Sequence, residues 1–235
     1  MSEGLARRRA VRALGRALGL AKTAGGDGAL LDLALTHDSY AHERGARHAL
    51  RSNERLELLG DSVVGLATTR FLYDRFPNEP EGRLSRRRQS LVSRTALAAS
   101  AARIGLAPLM RLGMGVRGAS LSPSILAGAF EAVAGAAFVC EGFAAAAKFV
   151  ERTHLAHATL TSSADPRTEL QELAQSRFGR APVYSLTGES GPAHGRVFTA
   201  RVSSGGVVGT GSGPTKKQAQ AEAAAQALRK LKPGT

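Results

Sequence analysis

The chain contains one cysteine, no tryptophan and few aromatic residues of any kind, which make up 5% of its 235 residues. A lone Cys140 excludes an internal disulfide and a cysteine-built zinc site. Its apolar setting, AFVCEGF, assigns it to a core, and a reducing cytoplasm is the expected location. Scarce aromatics argue against gripping single-stranded nucleic acid on stacking platforms. No uninterrupted apolar run approaches the ~18 residues of a membrane span. The N-terminal MSEGLARRRAVRALGRALGL lacks the continuous apolar block of a signal peptide, so no membrane partner is expected. Acidic residues are also in deficit, 19 Asp+Glu against 32 Lys+Arg, which leaves a net charge of +13. That balance favours a polyanionic partner, and without stacking residues a duplex read through its backbone suits it best.

From residue 5 to about 155 apolar residues recur at three and four positions, as in LLDLAL, RLELLGDSVVGLA and SLVSRTALAASAARIGL, which predicts helices nearly throughout. Breaks fall at TAGGDG, FPNEPEG and GMGVRGASLSP. Periodicity fades around HATLTSSADP, and residues 156–163 read as a linker. Beyond it, TELQELAQSRFG is helical, and PVYSLTGESG, RVFTARVSSGG and VVGTGSG are short strands. KKQAQAEAAAQALRKL closes the chain as an alanine-rich helix. The order α-β-β-β-α over residues 164–233 predicts a small α+β domain whose sheet carries two helices on one face. An all-α domain over residues 5–155 precedes it. The glycines of GTGSGP read as turn positions, not as a nucleotide-binding loop, so no nucleotide cofactor is expected.

Within NERLELLGDSVV, Glu54, Glu57 and Asp61 fall on one helix face about 60° wide, at roughly 100° per residue. Leu56, Leu59 and Val63 form a separate packing stripe. An acidic face is commonly just the solvated side of an amphipathic helix. Here Leu58 and Gly65 share the face with the acids, which makes it partly apolar, and like charges at this spacing repel without a counterion. A hard cation such as Mg²⁺, with Mn²⁺ as substitute, would neutralise such a cluster. His37 and His42, in THDSY and AHE, read as capping and packing residues, and no Ser-His-Asp arrangement is evident.

NERLELLGDSVV closely resembles the signature stretch of the ribonuclease III family, endonucleases specific for double-stranded RNA. ALTHDSY, RFPNEPEGRLSRRRQSLVS and SILAGAFEAVAGAAFV resemble the family's other landmarks in the same order, and the likeness runs from about residue 11 to 232. The resemblance implies an all-α endonuclease domain that forms a homodimer, followed by a double-stranded-RNA-binding domain. It implies that Glu57, Asp61 and Glu131 hold the metal, that Asp61 and Glu131 are catalytic, and that Glu54 and Glu81 are secondary acids. It also implies products with 5′ phosphate and 3′ hydroxyl ends, made in the processing of ribosomal RNA and other transcript precursors.

The sequence departs from this family at three places. Gly128 stands where an Asp is usual, three residues before Glu131. Leu58 stands where a Phe commonly enters the partner subunit, and GMGVRGASLSP is shorter and less acidic than usual. Loss of the acid at Gly128 leaves an alternative open: a duplex-RNA-binding dimer that cuts weakly or not at all. In the C-terminal stretch, which resembles a double-stranded-RNA-binding domain, Thr168, Gln171, Glu172 and Gln175 share one helix stripe suited to a minor groove. His194 sits in the loop GPAH, and Thr215, Lys216 and Lys217 open the last helix, where free N–H groups favour phosphate. Phe198, Leu173 and Leu228 are assigned to the core.

Overall fold

The computed structural model describes residues 2–20, 22–23, 28–44, 51–116, 121–158, 165–192 and 195–232. The chain divides into two compact units, Met1–Leu160 and Thr161–Thr235. The first is helical: α1 (Ser2–Ala17), α2 (Ala29–Ala34), α3 (Asp38–Glu43), α4 (Glu54–Arg75), α5 (Glu81–Leu91), α6 (Arg94–Arg103), α7 (Pro123–Glu141) and α8 (Phe143–Thr153).

Helix α7 is the centre of this unit. Ser122 caps its start by accepting a hydrogen bond from the Ile125 N–H, and Pro123 occupies the first turn, where it forfeits no helical bond. By length and composition α7 could cross a membrane, although Glu131 interrupts its apolar run. It is instead wrapped by α4, α6 and α8, with Ala127 to Phe130 and Ala132 to Ala137 buried. The Phe130 ring stacks on Phe149 at 5.2 Å between centroids, and His154 meets it edge-on at 5.8 Å. Its last turn emerges: Phe138, Val139 and Cys140 are exposed, so the core assignment of Cys140 is wrong. The AFVCEGF pattern is apolar because the helix is leaving the core there, not because the thiol packs within it.

Two glycines set how closely α4 approaches α7. A Cβ on Gly60 would lie 1.8 Å from the Glu131 carbonyl oxygen, and one on Gly135 would lie 2.3 Å from the Leu56 carbonyl oxygen. Each helix thus presents bare backbone where the other passes, which brings the acidic face of α4 beside Glu131. The stripe of small residues on α7 accounts for half of this contact, and Gly60 supplies the other half. Leu56 and Val63 are buried as the packing stripe requires, with Leu59 partly covered.

The THDSY segment fixes the start of α4. The Asn53 N–H donates to the Thr36 carbonyl at 2.8 Å, and the His37 imidazole caps α3 by accepting from the Ser39 N–H. His42 pairs with Asp38 at 3.3 Å. Both histidines therefore serve the local fold.

The second unit comprises α9 (Pro166–Phe178), β1 (Val183–Ser190), β2 (Val197–Ser204), β3 (Val207–Gly213) and α10 (Lys216–Leu231). The strands form an antiparallel sheet in the order β1-β2-β3, with a bulge between Leu186 and Gly188. Helix α10 packs on β2 and β3, and α9 packs on α10 more than on the sheet. Leu170, Ala200, Val202 and the α10 alanines build the core with Leu228, while Leu173 and Phe198 pack against it partly buried. Gly209, Gly211 and Gly213 are strand residues, not turns. Added Cβ atoms at Gly209 and Gly211 would fall 2.2 and 2.3 Å from the α10 backbone at Ala223. An alanine-rich helix seated this low on a sheet needs glycine beneath it.

Candidate active site and nucleic-acid interface

In the helical unit, the close α4–α7 crossing leaves a cavity of about 510 Å³ lined by Glu54, Glu57, Asp61 and Glu131, with Leu58, Val92, Arg94, Ser124, Ala127 and Gly128. Three of the four acids come from one face of α4 and one comes from α7. Burial is the main force raising Glu57 above the usual carboxylate range. Glu54 adds to the rise, Arg94 partly opposes it, and Asp61 adds a smaller repulsion. Glu131 is pushed up to about 7, again chiefly by burial, then by the charges of Asp61 and Glu57 against the pull of Arg94. A divalent cation among these groups would relieve both the burial penalty and the mutual repulsion.

Gly128 takes part in this arrangement. A Cβ there would lie 2.5 Å from the Glu57 Oε2 and 2.8 Å from its Cδ. The missing side chain therefore leaves room for the Glu57 carboxylate to lie against α7, one helical turn from Glu131. Among the described residues, no three His, Cys, Asp or Glu side chains converge into a closed metal cage. The acids share a cavity but do not clasp a point. An all-oxygen donor set spread around an open cavity fits a hydrated Mg²⁺ ion, which keeps several waters and takes few carboxylates directly.

The remaining expected acids part company. Glu54 stays with the cavity and accepts from the Ser52 hydroxyl at 3.2 Å. Glu81 does not: it lies in the first turn of α5, accepts from the Ser85 hydroxyl at 2.5 Å, and lines a second cavity of about 530 Å³ with Tyr73, Glu79 and Arg88. Leu58, expected on a covered face, is 75% exposed in the single chain. Residues that the sequence reading missed are Gly60, whose only signal was glycine within a strong helix, and Arg94, which looked like one arginine among many.

In the second unit, Gln171, Glu172 and Gln175 are exposed along one stripe of α9, and Thr168 is half-buried on the same side. Lys216 and Lys217 stand exposed at the start of α10, with the Lys216 Nζ 5.8 Å from the Phe198 ring centre. Thr215 caps α10: its hydroxyl oxygen accepts from the Gln218 N–H at 3.2 Å and its hydrogen is directed to the Gln218 Oε1 at 2.9 Å. That hydroxyl is occupied by the helix, unlike the ammoniums next to it. His194 lies outside the described residues.

Together these units define a class, a helical hydrolase with a carboxylate-lined cavity joined to a module suited to duplex RNA. A family model described as Ribonuclease-III-like matches residues 27–158, and one for the double-stranded RNA binding motif matches residues 166–231. Ribonuclease 3 of Treponema denticola is 42% identical over 209 residues, covering 86% of this chain and 84% of that one. Ribonuclease 3 of Symbiobacterium thermophilum is 44% identical over 211 residues, covering 86% and 87%. The nuclease domain of ribonuclease III from Campylobacter jejuni superposes with a TM-score of 0.52 at 33% identity, over 60% of this chain and 92% of that one. The chain belongs to the ribonuclease III family, and its activity is endonucleolytic hydrolysis of double-stranded RNA.

Proposed function

We propose that this endonuclease works as a homodimer with Mg²⁺, or Mn²⁺ in its place, bound by Glu57, Asp61 and Glu131, with Asp61 and Glu131 acting at the reacting phosphate. The observation that carries the reading is the single cavity shared by these carboxylates across the glycine-spaced α4–α7 contact. When bound, such a cation acidifies a coordinated water and offsets charge developing on the phosphate. Glu57 and Asp61 on α4 and Glu131 on α7 would hold the cation from two helices, and Leu58, Val92 and Ala127 line the same cavity with apolar surface. Products with a 5′ phosphate and a 3′ hydroxyl follow when water attacks phosphorus and the 3′ oxygen departs.

The homodimer is supported by a row of uncovered apolar residues on α4. Leu58, Leu66 and Tyr73 are 75%, 57% and 71% exposed and lie within about 80° around the helix. The structure from Campylobacter jejuni is itself described by the flexibility of a region involved in its dimer formation. On α9 and α10, the exposed Gln171, Glu172, Gln175, Lys216 and Lys217 would follow the minor groove and phosphates of an A-form duplex. Processing of ribosomal RNA and other transcript precursors in the cytoplasm is the role this activity would serve.

The open carboxylate arrangement and Gly128 favour one second reading, a duplex-binding protein with feeble cleavage. Incubating end-labelled duplex RNA with the purified protein in Mg²⁺, Mn²⁺ or chelator separates the two. Metal-dependent cutting that Glu131→Gln abolishes supports the nuclease, and retention of intact duplex in both metals supports the binder. Cutting that survives Glu131→Gln would come from another enzyme.

A further inference from the structure

Among the described residues, the acid-lined cavity has one basic residue on its wall, Arg94, the first residue of α6. Several arginines are committed to the fold. Arg7 grips Asp32 at 2.7 Å, Arg87 grips Glu79 at 2.7 Å and stacks on Phe76, and Arg167 grips Asp165 at 2.7 Å. Arg94 is exposed and forms no ion pair with a described acid, although it stands near enough to favour the charged forms of both Glu57 and Glu131. Ser93, not Arg94, caps α6 by accepting from the Ala96 N–H. Among the described residues, then, no hydrogen bond or ion pair ties this guanidinium to the fold.

A duplex delivering a phosphate to this cavity meets four carboxylates, which repel it. A bound divalent cation compensates only part of that charge. A guanidinium offers a planar fork that matches phosphate oxygens, and one not already locked to an acid can turn to meet them without breaking a pair. We infer that Arg94 binds a phosphate oxygen of the duplex RNA at the cleavage cavity and positions that strand against Glu57, Asp61 and Glu131. Without RNA the same side chain partly offsets the repulsion among the acids. This role rests on the metal-dependent nuclease reading for its effect on cleavage, but its effect on RNA binding stands apart from it.

Two opposed effects distinguish this role from a merely structural one. Removing a cation from the cavity wall leaves the acids freer to attract another, so Arg94→Ala binds Mg²⁺ more tightly in the absence of RNA. The same change weakens the hold on the substrate. The test compares wild type, Arg94→Ala and Arg94→Lys in the full-length protein. Steady-state cleavage should show KM for a short duplex rising about tenfold in Arg94→Ala, the size of a lost charge-assisted hydrogen bond, with kcat within about twofold. Arg94→Lys should recover much of the loss. Calorimetric titration of Mg²⁺ into the RNA-free proteins should give a lower half-saturating concentration for Arg94→Ala than for wild type. Duplex binding across a salt series, measured in a Glu131→Gln background, should show a logarithmic slope shallower by about one for Arg94→Ala. Where the wild type cleaves, an Arg94→Ala protein with wild-type KM, or with the wild-type salt slope, overturns the inference. A wild type that fails to cleave refutes the nuclease reading instead, and the salt slope then decides for Arg94 alone.

Discussion

Gly128 and Gly60 show how much one absent methyl group can decide. At Gly128 the space is filled by the end of a flexible side chain, the Glu57 carboxylate. At Gly60 it is filled by backbone, the Glu131 carbonyl. The first neighbour can move and the second cannot without parting the helices. Gly128→Ala should therefore leave the thermal midpoint nearly unchanged while raising the half-saturating Mg²⁺ concentration, because the methyl displaces Glu57 without adding charge. Gly128→Asp displaces Glu57 as well but contributes a carboxylate of its own, and should lower that concentration below the wild-type value. Equal metal affinity in all three proteins would mean that Glu57 does not depend on this space. Gly60→Ala should cost about 1–3 kcal/mol in urea unfolding, as overpacked cores do, and reduce cleavage further than Gly128→Ala. A Gly60→Ala protein with wild-type stability and activity would refute the role given to the α4–α7 crossing.

Among the elements, α5, α6 and the turn after α8 are joined by His154, which is only 3% exposed. The Leu91 carbonyl at the end of α5 can only accept, so the imidazole Nε2 at 3.0 Å carries the hydrogen, and Nδ1 accepts from the Ser100 hydroxyl of α6 at 2.8 Å. Burial holds this imidazole below its ordinary value of 6.5, with Leu91 pulling slightly the other way and Arg103 adding repulsion. The unfolded chain thus binds a proton that the folded chain refuses. The stability this confers is complete above about pH 6.5 and declines as pH falls from there toward the depressed folded value. Urea midpoints measured between pH 8 and 5 should fall in this window for wild type. His154→Leu should be less stable at pH 8 and should lose the part of the slope due to this group. The same slope in both proteins would assign it to other residues.

At the scale of the molecule, the uncovered row Leu58, Leu66 and Tyr73 predicts association through α4. Tyr73→Glu should shift sedimentation from dimer toward monomer while leaving the helical circular dichroism signal intact. A protein already monomeric before the change would refute the proposed assembly. Most of the architecture could be read from the sequence because its signals are local: apolar spacing marks the helices, and β-branched and aromatic runs between glycines mark the strands. The acidic face of α4 was legible for the same reason, since it lies within one helix. What joins Glu131 to that face was not legible. It depends on Gly60 and Gly135 meeting across 75 residues of chain, and nothing local records which glycine opposes which carbonyl. The glycines of β3 were misread because their spacing suits a turn as well as a strand pressed by an alanine-rich helix. Cys140 was misplaced because an apolar run at a helix end gives no sign of where the core stops. Arg94 drew no notice because its meaning comes from the acids around it, all four of which belong to other helices.

The most direct test of the shared metal site is anomalous scattering from crystals of the full-length protein soaked in Mn²⁺. The expected result is a peak in the cavity bounded by Glu57, Asp61 and Glu131, absent in the Glu131→Gln protein. A peak held elsewhere, or one at the cavity that Glu131→Gln leaves undiminished, would contradict a cation held jointly by α4 and α7.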